Sequence, residues 1–203
     1  AEDGTVYLRM DELHHRFALY PNGLDDVVHA GFQTANRKEF EKTKESLLAC
    51  GVEFQRATQE ELENRHVVDM VKFDLCGFPA EVYYGAHALF ERPFNSPAGT
   101  SGFNTGVMGL GHIGMNIEES EWDRAFYILE EGLGFKVSDN FRGTDNFFHC
   151  NPREHTAVVG RKSDRDPKLI QHFMVEVNTL DDVGFAYQRV EERGIELTSR
   201  LGK

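Results

Sequence analysis

Apolar and polar positions alternate along this chain, then shift to a helical period, and the same switch occurs three times. The segments "HAGFQTANRKEFEKTKESLLACGVEF" (His29 to Phe54), "HIGMNIEESEWDRAFYILEEGLGFKV" (His112 to Val137) and "HFMVEVNTLDDVGFAYQRVEERGIEL" (His172 to Leu197) align without a gap. Each is 26 residues long, begins with His and carries Gly at offset 22, namely Gly51, Gly134 and Gly194. Strand-like alternation follows each His. His112, Gly114 and Asn116 take one side of the strand and Ile113, Met115 and Ile117 the other, while His172, Met174 and Glu176 oppose Phe173, Val175 and Val177. The repeated histidines therefore share a face.

A polar break, "IEESE" or "NTLDD", ends the strand, and Thr179 with Asp182 three residues on has the pattern of a helix N-terminal cap. Trp122, Ala125, Phe126 and Leu129, or Val183, Ala186, Tyr187 and Val190, then recur at i, i+3, i+4 and i+7, which draws an apolar stripe along one helix face. The repeated glycine suits the left-handed residue that closes such a helix, and "GVEF", "GFKV" or "GIEL" is expected to begin the next strand. The intervals between copies are strand-rich. "NRHVVDMVKFDLCGFPAEVYYG" follows the first with a turn at Cys76 to Pro79, and "DNFFHCNPREHTAVVG" follows the second with a hairpin turn at Asn151 to Glu154.

The complete module is βαβββ, and the predicted fold class is α+β, built from tandem modules. "TVYLRMDELHHRFALYP" supplies only the last two strands of such a module, and the stretch after Leu197 stops before those strands would appear. The organisation expected is an N-terminal domain over 1–95, a linker over 96–108 and a second domain over 109–203. The first holds the end of module one and all of module two, and the second all of module three and a truncated module four. From this arithmetic, with Ala1 in place of an initiating Met, the 203 residues are expected to be an internal piece of a longer chain.

Composition narrows the function classes. The chain is 40% apolar and 28% charged, the balance of a globular protein able to bury a core rather than of a disordered one. Its formal charge of −12 repels polyphosphate and anionic lipid, which argues against nucleic-acid and membrane partners. With no apolar run near the ~18 residues that span a bilayer and no leader-like start, a cytoplasmic location is expected. Cys50, Cys76 and Cys150 are odd in number, widely spaced and outside any C-x-x-C pattern, so three reduced, buried or partly buried thiols are expected.

One strand histidine is more often a packing residue than a ligand. Two at identical offsets on the same face of paired modules, His112 and His172, point to a shared metal, because ligand sets are built from facing elements. Spacing alone stops there.

The βαβββ modules resemble the vicinal oxygen chelate fold. "GLGHIGM", "FFHCNPREHTAVVG" and "LIQHFMVEVNTLDDVGFA" resemble the catalytic domain of two-domain type I extradiol catechol dioxygenases of the dihydroxybiphenyl and dihydroxynaphthalene type, and "YLRMDELHHRFALYPNGLDDVVHAGF" resembles their N-terminal domain. The resemblance implies that His112 and His172 are iron ligands, that His155 in "REHT" is the active-site acid/base and that Phe147 lines the aromatic substrate pocket, which Gly114 also helps to shape. The third ligand would be a Glu in a G-x-x-x-E-aromatic-Gly strand, expected beyond Lys203. "GFPAEVYYG" sets Glu81 at the pseudo-symmetric place in the first domain, where Glu81 and His29 are read as structural. Gln171 departs from the His or Asn usual before the second ligand.

Two neutral imidazoles and a carboxylate hold Fe(II) on one face of an octahedron, leaving positions for a catechol and O2, and the same donors accept Mn(II). One metal gathering both reactants makes an intramolecular step of a three-body encounter. A histidine with an ordinary pKa near 6.5 suits transfer of the catechol proton. The expected function is ring cleavage of a bicyclic or biaryl catechol in aromatic hydrocarbon catabolism, by a chain that is a homo-oligomer when intact. The alternative is a non-catalytic protein of the same fold that binds a small aromatic molecule.

Overall fold

The computed structural model describes residues 3–141, 144–164 and 167–202. Two short strands come first, β1 (Val6–Leu8) and β2 (Phe17–Leu19), paired antiparallel as a sheet of their own. The first repeat then forms β3 (Ala30–Gln33), α1 (Arg37–Ala49) and β4 (Phe54–Arg56), followed by α2 (Gln59–Arg65), β5 (Asp69–Leu75) and β6 (Phe78–Tyr84). Asn36 caps α1 by accepting from the Glu39 N–H, and Phe40 and Leu47 are its fully buried apolar side chains. The turn between β5 and β6 puts both Cys76 and Gly77 at positive φ, as a tight hairpin requires.

The second repeat follows the same plan, with β7 (Gly111–Ile117), α3 (Trp122–Tyr127), β8 (Lys136–Phe141), β9 (Asp145–His149) and β10 (Ala157–Arg161). A π-helical turn over Ile128–Gly132 continues α3 and keeps Ile128 and Leu129 in the core. The third repeat contributes β11 (Ile170–Val175) and α4 (Leu180–Glu192). Thr179 and Asp182 form the full capping box at the start of α4.

Sheet order exposes the repeat. The first complete module runs β3-β6-β5-β4 and the second complete module β7-β10-β9-β8, each pairing its first strand parallel with its last and the rest antiparallel. β11 adds to the second sheet antiparallel to β7, so the strands that open the second and third repeats lie side by side. A buried cluster that includes Phe40, Leu47, Val82, Met115, Leu129 and Phe148 runs without interruption through both modules.

Three expectations change. "GIEL" over 194–197 is not a strand, because among the described residues it has no neighbouring strand to pair with. The stripe of α4 is only half-buried, with Ala186 exposed and Phe185 51% exposed on an adjacent position. Cys50 is buried and Cys76 partly so, but Cys150 is exposed, since it sits on the connection from β9 to β10. Among the described residues no helix is long and apolar enough to cross a membrane.

Candidate metal centre

The strands β7 and β11 set Met174 opposite His112 and His172 opposite Gly114, so the two histidines are diagonal neighbours on one face of the sheet. Their Nε2 atoms meet at 2.8 Å with ring planes at 87°. Gly114 is what allows this. A Cβ there would lie 2.6 Å from His172 Nδ1, so the ring of the second histidine occupies the space a side chain would fill. Gly114 thus seats the His172 imidazole, a role more specific than the expected shaping of a pocket.

Both rings are pushed toward the neutral form. Burial lowers the pKa of His112 to about 4, with further lowering by His155 and His172, and burial followed by His155 lowers that of His172. Neutral imidazole is the ligating form. Two lone pairs cannot face each other at 2.8 Å without a positive centre, so the contact needs either a shared proton or a cation. His112 Nδ1 is buried without a hydrogen-bond partner. This donor chemistry fits a divalent metal bound through both Nε2 atoms.

His155 lies on the loop entering β10, its ring centroid 4.3 Å from that of His112, and the Phe147 ring on β9 stands edge-on to it at 4.9 Å. All five residues expected at the site therefore share one region of the second sheet. His155 Nδ1 is paired with the Glu154 carboxylate. The pattern did not reveal what pins this loop. Arg153, nearly buried, pairs with Glu176 just beyond β11, and Asn104 donates to the same carboxylate from the other side at 2.9 Å. Asp26 similarly anchors the entry to β11 by accepting from the backbone of Leu169 and Ile170 at 2.7 and 3.0 Å. Long-range partners of this kind leave no periodic signal.

Among the described residues no three His, Cys, Asp or Glu side chains gather to hold a metal. The carboxylate ligand expected beyond Lys203 lies outside the described residues.

The first sheet makes an instructive contrast. Its ligand-like places, His29 and Glu81, face a guanidinium instead. Arg65 bonds both Glu81 oxygens at 3.1 and 3.2 Å and reaches His29 Nδ1 at 3.1 Å. Burial and then the Arg65 charge push the His29 pKa down to about 4, and burial raises that of Glu81 against the opposing pull of Arg65. A fixed protein cation sits where the other module converges two imidazoles.

The chain is similar to several known proteins. The model of the Glyoxalase/Bleomycin resistance protein/Dioxygenase superfamily matches residues 109–203. The biphenyl-2,3-diol 1,2-dioxygenase of Pseudomonas sp. (strain KKS102) is 36% identical over 212 residues, covering 100% of this chain and 70% of the relative. The iron-dependent extradiol dioxygenase of Rhodococcus jostii (strain RHA1) is 32% identical over 218 residues, covering 100% of this chain and 71% of that protein. Among solved structures, a catechol 2,3-dioxygenase superposes with a TM-score of 0.87 at 34% identity, covering 100% of this chain and 73% of the other.

Proposed function

The chain belongs to the extradiol dioxygenases of the glyoxalase/bleomycin resistance protein/dioxygenase superfamily, and from that membership we propose that it cleaves a bicyclic or biaryl catechol, with His112 and His172 holding Fe(II). The observation that carries the residue assignment is the 2.8 Å approach of the two Nε2 atoms, with a third imidazole 4.3 Å from the first. Held by His112 and His172, the metal would supply Lewis-acid activation of the catechol and a means of gathering it with O2. Mn(II) suits the same donors, and the name of the Rhodococcus relative favours iron.

The chain's own groups do the rest. His155 is the acid/base, its Nδ1 engaged by Glu154 and its Nε2 left to exchange a proton with a catechol hydroxyl. Phe147, edge-on to His155, presents an apolar wall against which an aromatic ring packs. The ion pair of Arg153 with Glu176 holds the His155 loop against the end of β11, so the acid/base and the second ligand keep a fixed separation.

The test is O2 uptake and ring-opened product from 2,3-dihydroxybiphenyl in the intact Fe(II)-loaded protein, with His155→Gln beside the wild type. A fall in kcat of about 10²–10⁴-fold at unchanged iron content is expected. Wild-type protein that binds the diol but consumes no O2 would instead establish the non-catalytic aromatic-binding protein.

A further inference from the structure

The residue before the second ligand sits where a β-strand should turn it away from the site. It does not turn away. Ile170 pairs with Met115 and His172 with Gly114, so Gln171 is the extra residue of a β-bulge in β11. A bulge re-aims a side chain, and here it brings Gln171 to the same face as His172. The Gln171 Oε1 lies 3.1 Å from His172 Nδ1, and its Nε2 lies 3.4 Å from Asp145 Oδ1 on β9.

Two further positions show that this arrangement has space kept for it. A Cβ on Gly160 of β10 would come within 2.7 Å of Gln171 Nε2 and 2.8 Å of Asp145 Oδ1. A Cβ on Gly114 would come within 3.0 Å of Gln171 Oε1. Glycine on both intervening strands leaves a channel along the sheet face from Asp145 to His172.

We propose that Asp145 and Gln171 are positioning residues that fix the tautomer and ring orientation of His172. The logic is one of donors and acceptors. A carboxylate only accepts, so the amide must turn its NH2 toward Asp145, and the carbonyl then faces His172. Because a carbonyl only accepts, His172 Nδ1 carries the proton and its Nε2 presents a lone pair toward His112. Asp145 thereby selects, through one amide, which nitrogen of His172 is free to ligate. In the metal-free pair the same logic puts the proton of the 2.8 Å contact on His112 Nε2.

The inference rests on His172 being a metal ligand, so its test has a readout that needs no metal. In 15N-histidine-labelled, metal-free full-length protein, long-range proton–nitrogen correlation spectra report the tautomer directly. Wild type is expected to show His172 as the Nδ1–H form. Gln171→Met, of equal length but with only a weakly accepting thioether and no donor, is expected to give a tautomer mixture and an Fe(II) Kd raised about 10–100-fold. The pair Gln171→Glu with Asp145→Asn exchanges the charge between the two positions while keeping both contacts, and is expected to restore tautomer and affinity. An unchanged His172 tautomer in Gln171→Met, or a charge exchange that fails as badly as the single variant, overturns the proposal. If the tautomer shifts as expected but wild type takes up no Fe(II), the positioning stands and the metal assignment falls.

Discussion

Replacing Arg65 by Met tests the claim that a guanidinium serves as the cation of the first complete module. The side chains of Arg65 and Glu81 are 18% and 5% exposed, so solvent screens the pair little. Removing the guanidinium strands a buried carboxylate that loses both of its bonds from Arg65, at 3.1 and 3.2 Å. Breaking a buried pair from one side costs about 3–5 kcal/mol. With a urea dependence on the order of 2 kcal/mol per molar for a domain of this size, the unfolding midpoint should fall by about 1.5 M or more. The loss should shrink in acid. Burial already raises the Glu81 pKa, and without Arg65 it rises further, so the folded state binds that proton more tightly than the unfolded state and falling pH favours folding. Arg65→Met with Glu81→Gln, which leaves no buried charge, should recover much of the deficit. Urea titration at pH 7.5 and 5.5 measures all three variants. A single variant within about 0.5 kcal/mol of wild type, the scatter of ordinary surface substitutions, or a double variant as weak as the single one, refutes the reasoning.

Gly114→Ala should displace the His172 ring by putting a Cβ 2.6 Å from Nδ1, weakening Fe(II) binding at least about tenfold, read by anaerobic metal titration. Burial first, then His14 and His66, lower the His15 pKa to about 4 from 6.5. The unfolded chain therefore takes up that proton first, and stability should decline as pH falls from about 6.5 toward 4, a slope in the urea midpoint that His15→Phe flattens. Thr179→Ala should cost about 1 kcal/mol by removing the capping box of α4, measured as a lower thermal midpoint by circular dichroism.

The modular plan was legible because it rests on local signals that repeat. Gly51, Gly134 and Gly194 all adopt positive φ, and the shared strand order of the two sheets follows from equal spacing of like elements. Alternation also placed Met115 and Ile117, 0% and 1% exposed, in the core, although Asn116 on the other side of β7 is 1% exposed too. The helix α2 carries no apolar stripe, because it is short and buries no residue. Its signature is the Thr58–Glu61 capping box. At the candidate site, the shared offset of His112 and His172 anticipates that their rings lie side by side, whereas Asp145, Arg153 and Glu176 act across 26, 23 and 72 positions through single polar contacts. A bulge shifts the period of β11 by one, so strict alternation assigns Gln171 to the wrong face.

In the proposed reading His112 and His172 share one iron ion that the ring-cleaving reaction requires. Anaerobic Fe(II) titration of the full-length protein and of His172→Ala, followed by turnover of 2,3-dihydroxybiphenyl on admitting O2, addresses it most directly. One Fe(II) per chain in the wild type, with binding and product both lost in the variant, is the expected result. Retained turnover by His172→Ala would contradict it.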